Sequence, residues 1–160
     1  IGLQCLNEMS AADLIAVDIK ESARQLADDL GAHYTVDPQS EDIADAVADI
    51  TDDVGAAQVL DFVGADETTA LAPDLCAAGG DHHIIGYGGH IHEPAQALVN
   101  GEFAFQGNIV GRYAELQELV ALVEREAVDP HTTRYRLDAV TEVAEKMEHG
   151  ELDGRDLITQ

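Results

Sequence analysis

The segment Leu14-Ile-Ala-Val-Asp18-Ile-Lys20 constrains the fold of this chain more than any other. Four consecutive apolar residues have the length of a buried strand, and an acid follows them directly. In a dinucleotide-binding α/β unit, the second parallel strand ends in an acid about 20 residues beyond a glycine-rich turn. The Asp18 carboxylate would accept hydrogen bonds from both hydroxyls of an adenosine ribose and repel a 2′-phosphate. Any buried parallel strand that ends in an acid shows the same local pattern, so a purely structural interpretation stays open.

No glycine-rich turn precedes this segment, because the chain begins at Ile1, inside what the pattern predicts to be the helix after that turn. We therefore expect an α/β, Rossmann-like fold: a doubly wound parallel sheet that lacks its first strand and its glycine-rich turn. We expect residues 1–150 to form this dinucleotide-binding domain. Residues 151–160 are predicted to be a C-terminal tail that returns to a catalytic domain outside this chain.

Apolar residues alternate between helical and strand spacing along the chain. Ile1, Cys5 and Met9 recur every four residues, which is typical of a helix face. Ser22 is a candidate helix cap, and Gly31 and Gly79-Gly80 are candidate helix ends. With these signals, the spacing predicts helices over about 22–30, 43–50, 68–76, 116–123 and 138–150. It predicts strands over 14–17, 33–36, 58–63, 82–85 and 103–110. Strands that alternate with helices of this length predict a parallel sheet with helices on both faces.

The charge is strongly acidic, with 32 Asp and Glu residues against 8 Lys and Arg residues and a formal net charge of −24. A disordered acidic tail would lack the apolar spacing seen here. The excess resembles the surface of proteins from organisms that hold molar salt in the cytoplasm. Mimicry of nucleic acid or binding to a basic partner is the alternative, whereas direct binding of nucleic acid is not expected without a basic patch.

Two cysteines, Cys5 and Cys76, match no metal-binding or disulfide spacing, which suits a reducing cytoplasm. Each lies in an apolar helical pattern, so we interpret both as buried small hydrophobic residues. The sequence has no signal peptide and no apolar run near 18 residues. We therefore expect a cytoplasmic protein that does not bind membranes, although a targeting segment before Ile1 stays open.

Glycines follow two of the predicted strands. Phe62-Val63-Gly64 follows one strand, and Gly86-Tyr87-Gly88 follows the next. In open parallel sheets, ligands bind beyond the carboxyl ends of the strands, and glycine lets the backbone approach a flat or charged ligand. Together with Asp18, these two turns predict a cofactor cleft.

The order of these motifs resembles the nucleotide-binding half of zinc-dependent medium-chain alcohol dehydrogenases, and with the acidity the resemblance is closest to the halophilic archaeal type. The resemblance covers essentially the whole chain and lies in Asp61-Phe-Val-Gly64, the predicted helix from Thr68 to Leu75, Ala78-Gly79-Gly80, Ile84-Ile-Gly86-Tyr-Gly88-Gly89, Ile109-Val-Gly111-Arg112-Tyr113 with Glu115-Leu116, and the end from Met147 to Arg155. It implies hydride transfer between an alcohol and NAD, with NADP as the alternative cofactor, and zinc that polarises the alcohol oxygen.

The resemblance also implies site residues. Asp18 would hold the adenosine ribose; Phe62, Val63 and Gly64 would line the middle of the cofactor, and Gly86, Tyr87 and Gly88 its nicotinamide side. Arg112 would approach the nicotinamide end or the phosphates, and Lys20 either the adenine or solvent. The zinc ligands would lie in another domain, so the resemblance implies that this chain alone is inactive. It also implies a small alcohol or carbonyl substrate, and a homo-oligomer formed through an edge strand near Phe103 to Val110.

Two alternatives stay open. His82, His83, His90 and His92 lie close in sequence to Asp81 and Glu93, which makes a metal site conceivable, although neutral imidazoles on a strand and a loop are the favoured interpretation. His82 and His83 would point to opposite faces of a strand, so one ion would not easily bind both. The second alternative is functional: a non-catalytic nucleotide-sensing or interaction domain.

Overall fold

Helices and strands alternate along the chain in the computed structural model, which describes residues 1–152 and 154–160. The helices are α1 (Gly2–Met9), α2 (Glu21–Asp29), α3 (Ile43–Ile50), α4 (Asp66–Thr69), α5 (Ala72–Leu75), α6 (Ala95–Gly101), α7 (Tyr113–Glu124) and α8 (Val140–Glu148). The strands are β1 (Ile15–Val17), β2 (Tyr34–Val36), β3 (Ala56–Asp61), β4 (Cys76–Ile84), β5 (Ala104–Gly107), β6 (Thr132–Arg136) and β7 (Arg155–Thr159). The chain divides into unit 1, residues 1–35 and 112–160, and unit 2, residues 36–111.

Unit 1 contains two small sheets. Strands β1 and β2 form one, and the carbonyl of Leu14 accepts hydrogen bonds from the amides of His33 (2.9 Å) and Tyr34 (3.1 Å). Strands β6 and β7 form the other, which is parallel. Neither β6 nor β7 was predicted, because their sequences, TTRYR and RDLIT, are too polar to show a buried strand. Strand β7 lies in the segment that was predicted to be a C-terminal tail.

The N-terminal part of unit 1 follows local sequence signals closely. Helix α2 begins at Glu21, and Lys20 is its N-cap residue. Ser22 therefore lies inside the first turn, and the prediction that Ser22 caps the helix is wrong. The helix ends as predicted before Gly31, whose φ of 98° is a left-handed conformation that favours glycine. The amide of Ala32 donates to the carbonyl of Ala27 (2.9 Å), which closes the helix end.

Unit 2 is built on a three-stranded parallel sheet in the order β3-β4-β5. Asp61 pairs with Ile84, and Ile84 pairs with Gly107, so the three strands end at the same level. Strand β5 lies at one edge of this sheet. The carboxyl ends of β3 and β4, where ligands bind in sheets of this kind, are therefore next to each other.

Two predictions about the entry into β4 are wrong. The predicted helix over 68–76 is divided into α4 and α5, because Pro73 lies in the first turn of α5 and cannot continue a preceding helix. Cys76 therefore begins β4 and is not helical. The prediction that Gly79-Gly80 separates a helix from a strand is also wrong, because strand β4 runs through both residues. The register of β4 against β3 shifts between the residues that pair with Ala56 and Gln58. Gly79, at a φ of 79°, accommodates that irregularity.

Each unit has a small apolar core. The buried apolar residues are Leu14, Ala32, Val128 and Val143 in unit 1, and Val36, Val47, Ala72, Leu75 and Phe103 in unit 2. Cys5 and Cys76 are free thiols and only half-buried, so the prediction that both are buried is too strong. Among residues 1–152 and 154–160, no helix combines the length and the hydropathy that a membrane crossing requires.

Candidate functional site

The turns that follow β3 and β4 are joined by backbone hydrogen bonds. The carbonyl of Asp61 accepts from the amides of Ile85 (2.8 Å) and Gly86 (3.1 Å), and the amide of Gly89 donates to the carbonyl of Gly64 (2.8 Å). The two turns therefore form one structural element at the carboxyl edge of the sheet in unit 2.

Glycine is required where these turns meet. A Cβ on Gly86 would lie 2.4 Å from the carbonyl oxygen of Phe62, and a Cβ on Gly64 would lie 2.2 Å from the carbonyl oxygen of Gly86. Gly64 also has a φ of 63°. Gly88 is different, because nothing lies within 4 Å of the position that its Cβ would occupy. The contact between the turns thus explains Gly64 and Gly86, whereas no neighbour in the described chain accounts for Gly88.

Large apolar side chains on these turns face solvent. Phe62 and Val63 are each 64% exposed, and Tyr87 is 95% exposed. Exposed apolar groups at the carboxyl ends of parallel strands suit the binding of a flat ligand. The structure thus brings together the predicted site residues of unit 2, which are Phe62, Val63, Gly64, Gly86, Tyr87 and Gly88.

A buried carboxylate organises the first turn. Oδ1 of Asp61 accepts from the amides of Val63 (2.9 Å) and Gly64 (2.8 Å), and Oδ2 accepts from Oγ1 of Thr68 (2.7 Å). Burial raises the pKa of Asp61, but the hydrogen bonds from Gly64, Thr68 and Val63 outweigh it and hold the pKa below its usual value. The ionised carboxylate therefore fixes the conformation of the turn.

Asp18 and Lys20 lie in unit 1, at the end of β1. Oδ1 of Asp18 accepts from the amide of Lys20 (2.8 Å), and Nη1 of Arg24 donates to the carbonyl of Asp18 (2.8 Å). The Asp18 side chain is exposed. Nζ of Lys20 donates to the carbonyl of Gly150, so this ammonium group already binds the end of the α8 segment.

Arg112 also lies in unit 1, directly before α7. Its guanidinium donates to Oε1 of Glu115 through Nε (2.9 Å) and Nη2 (2.7 Å), and its amide donates to Oε2 (2.6 Å). These contacts raise the pKa of Arg112 and lower that of Glu115. The pair caps the helix, so binding of a phosphate by Arg112 would compete with Glu115.

The four histidines of the segment 82–92 have different surroundings. His82 is buried, 5.2 Å from the ring of Phe105 between ring centroids, whereas Nδ1 of His83 lies 3.4 Å from Nδ2 of Asn108. His90 and His92 are exposed and lie beside Asp66. Asp81 and Glu93 are outside this group.

The sequence interpretation named Asp61 and Thr68 only as parts of motifs, without a role in the site, and it did not name Asp66. One signal could have indicated them: Asp61 ends a strand, and the other two follow the glycine turn after it. The ends of adjacent parallel strands lie together, so residues after β3 should meet residues after β4, such as His90.

The sequence matches the profile of a protein family described as zinc-binding dehydrogenase over residues 1–125. It is 26% identical over 160 residues to an NAD-dependent alcohol dehydrogenase of Sulfurisphaera tokodaii, with 99% of this chain and 46% of the relative covered. It is 28% identical over 161 residues to an NAD-dependent alcohol dehydrogenase of Sulfolobus acidocaldarius, with the same coverage. The chain therefore spans about half the length of the curated relatives that it matches.

Solved structures agree with this result. The alcohol dehydrogenase of the hyperthermophilic archaeon Aeropyrum pernix is 36% identical and superposes with a TM-score of 0.92, covering 100% of this chain and 46% of that one. The benzyl alcohol dehydrogenase of Acinetobacter calcoaceticus has a TM-score of 0.87 at 24% identity, covering 98% and 46% of the two chains. At that identity the second similarity concerns the fold alone. The predicted α/β fold is confirmed.

Proposed function

The chain belongs to the zinc-binding dehydrogenase family, and we propose that it is the cofactor-binding part of an alcohol dehydrogenase that transfers hydride between a small alcohol and NAD. The observation that carries this proposal is the similarity to the Aeropyrum pernix alcohol dehydrogenase across 100% of the chain at 36% identity. The substrate is an alcohol or the corresponding carbonyl compound.

In this proposal, Asp18 binds the adenosine ribose. Its carboxylate is exposed at the end of β1, and a hydrogen bond from the amide of Lys20 orients it. A carboxylate at this position suits the ribose diol of NAD and repels the 2′-phosphate of NADP. NAD is therefore the proposed cofactor, and NADP the alternative.

The turns after β3 and β4 would bind the rest of the cofactor. Phe62, Val63 and Gly64 would line its middle, and Gly86, Tyr87 and Gly88 its nicotinamide side. The exposure of the apolar side chains and the open space at Gly88 support this assignment. Lys20 and Arg112 are further candidates, each of which would have to release its present partner, Gly150 or Glu115.

When bound, NAD supplies the hydride acceptor, and zinc polarises the alcohol oxygen. We propose that the ligands of that zinc lie in another domain of the complete protein, and that residues 1–150 are the dinucleotide-binding domain. Residues 151–160 would then connect to the catalytic domain. Within these residues, strand β7 pairs with β6 of unit 1. The isolated chain would be inactive.

We further propose a homo-oligomer, a cytoplasmic location and adaptation to high salt. Strand β5 is an edge strand of its sheet, and such an edge can pair with a second copy. The free thiols of Cys5 and Cys76 suit a reducing compartment. The net charge of −24 suits a compartment with a high salt concentration.

Steady-state kinetics of the complete protein tests the central proposal. With a series of primary alcohols, we expect alcohol-dependent reduction of NAD, and with the 160-residue chain plus zinc we expect none. Binding of NAD without turnover by the complete protein would favour a nucleotide-sensing domain. Turnover by the short chain would contradict the assignment of the catalytic groups to another domain.

A further inference from the structure

Asp66, His90 and His92 bring three metal-binding side chains together in unit 2. Their ligand atoms all lie within 4.8 Å of one another. Oδ1 of Asp66 lies 3.4 Å from Nδ1 of His90, and Oδ2 lies 3.4 Å from Nε2 of His92. The centroids of the two imidazole rings are 5.6 Å apart. The three residues come from the segments after β3 and β4, so they meet only because the two strands are adjacent.

These distances are long for hydrogen bonds and also match the spacing of two ligands of one ion. A good N–H···O hydrogen bond is about 2.7–3.2 Å long, which is shorter than the two contacts of 3.4 Å. Two ligands of a tetrahedral ion with bonds of about 2.1 Å lie roughly 3.4 Å apart. Each imidazole nitrogen thus lies at this ligand-to-ligand distance from one carboxylate oxygen, which is Oδ1 for His90 and Oδ2 for His92.

Buried and backbone contacts hold this arrangement in place. The amide of His90 donates to Oδ1 of Asp66 (2.6 Å), and Oγ1 of Thr69 donates to the carbonyl of His90 (2.9 Å). Thr69 is only 4% exposed. A Cβ on Gly89 would lie 2.4 Å from the amide nitrogen of Asp66, so the loop passes close to α4 only because residue 89 is glycine. The fold therefore positions the Asp66 carboxylate and the backbone of His90, which brings the two imidazoles close to that carboxylate.

The ligand set selects the class of ion. Two imidazoles and one carboxylate suit Zn²⁺ and related transition-metal ions, whereas Ca²⁺ and Mg²⁺ prefer oxygen ligands.

We propose that Asp66, His90 and His92 bind one divalent transition-metal ion, with Zn²⁺ as the probe, and that the ion crosslinks the segments after β3 and β4. Three protein ligands leave at least one coordination position for water. The site lies beside the turns that carry Phe62 and Tyr87, so a bound ion would hold those turns in one arrangement.

Metal titration of the complete protein tests the site. After removal of metal with a chelator, Zn²⁺ binding is measured by isothermal titration calorimetry for the wild type, His90→Gln, His92→Gln and Asp66→Asn. The exposed His149 in unit 1 provides the matched control His149→Gln. We expect the wild type and the control to bind one more Zn²⁺ per chain than the three variants, or to bind it at least tenfold more tightly.

Thermal unfolding provides a second readout, in which zinc at any other site affects the wild type, the variants and the control alike. The difference in Tm between zinc-loaded and chelator-treated protein should be larger for the wild type and His149→Gln than for the three variants. His90→Gln and His92→Gln should also match the wild type in Tm when metal is absent, since the side chains of His90 and His92 are 76% and 68% exposed. Equal stoichiometry, affinity and zinc-dependent Tm shift in all five proteins would overturn the proposal.

Discussion

Oδ2 of Asp61 lies 3.4 Å from Nε2 of His82, and both side chains are almost fully buried, at 5% and 1% exposed. The two residues lie on the adjacent strands β3 and β4, and His82 is in register with Phe105 of β5. Nδ1 of His82 is buried without a hydrogen-bond partner among the described residues. Asp61 is better satisfied, because two amides and a hydroxyl also donate to it. The pair therefore places one strongly hydrogen-bonded carboxylate directly below the candidate site.

Asp61→Asn should destabilise the protein by about 1–3 kcal/mol at pH 7, since the charged acceptor of several hydrogen bonds is lost. The pKa of Asp61 is lowered on folding. Its contribution is therefore fully present above the unfolded pKa of about 3.9 and is lost as the pH falls through the folded pKa. Denaturation by urea at several pH values measures this effect. The exposed Asp49→Asn is the control, and a difference from the wild type that stays the same at pH 7 and pH 3 would contradict the prediction.

Gly86→Ala and Gly88→Ala should separate structure from cofactor binding. The Cβ in Gly86→Ala would lie 2.4 Å from the carbonyl oxygen of Phe62, so we expect a loss of about 1–3 kcal/mol in stability. In Gly88→Ala the Cβ meets no neighbour, and the change in stability should stay within about 0.5 kcal/mol. If Gly88 approaches the cofactor, Gly88→Ala raises KM for NAD at unchanged Tm. An unchanged KM would remove Gly88 from the site.

Asp18→Ser in the complete enzyme should shift cofactor preference towards NADP. If Asp18 binds the ribose as proposed, two charge-assisted hydrogen bonds, each about 1.5–3 kcal/mol, are lost together with the repulsion of a 2′-phosphate. Serine keeps an acceptor for the amide of Lys20. The ratio of kcat/KM for NAD to that for NADP should fall by roughly two orders of magnitude or more. The exposed Asp28→Ser is the control, and an equal loss with both cofactors would indicate a structural role for Asp18.

Stability should increase with salt. A net charge of −24 opposes the folded state by self-repulsion, and the Debye length falls from about 10 Å at 0.1 M to about 3 Å at 1 M salt. Tm should therefore rise by many degrees between dilute and molar KCl. A variant that neutralises the exposed acids Asp28, Asp49 and Glu124 as amides should show a smaller rise. Equal Tm at both salt concentrations would count against adaptation to high salt.

Cys76 should react slowly with alkylating reagents. Burial, together with the charge of Asp81, raises the pKa of the Cys76 thiol to about 11. At pH 8 only about one thiol in a thousand would be the reactive thiolate. Peptide mapping by mass spectrometry after iodoacetamide treatment gives the alkylation rate of Cys76 separately from the rates of other cysteines. The rate should keep rising up to pH 10, and a plateau near pH 9 would show an ordinary pKa.

Local patterns predicted those features that depend on neighbouring residues in sequence. The apolar run before Asp18 became β1, the spacing of Ile43, Val47 and Ile50 became α3, and Gly31 ended α2. The glycines after β3 and β4 marked the carboxyl edge of the sheet. The order of these motifs was also sufficient to identify the family.

Other features depended on contacts between distant residues. Gly79-Gly80 looked like a break, yet pairing with β3 holds both residues in an extended strand with a local irregularity. The polar strands β6 and β7 exist because each supplies the other's hydrogen-bond partners, which no apolar pattern records.

The sequence by itself determined the α/β alternation, the glycine turns and the acid at the end of β1, because each depends on local propensity or on periodic burial of apolar residues. Tertiary structure alone decided which polar groups meet. Asp61 contacts His82 across 21 residues, and Asp66 contacts His90 and His92 across 24 and 26 residues. The physical reason is that these groups lie on or directly after two strands whose pairing fixes their separation to within a few ångströms, and side-chain identity does not encode that pairing.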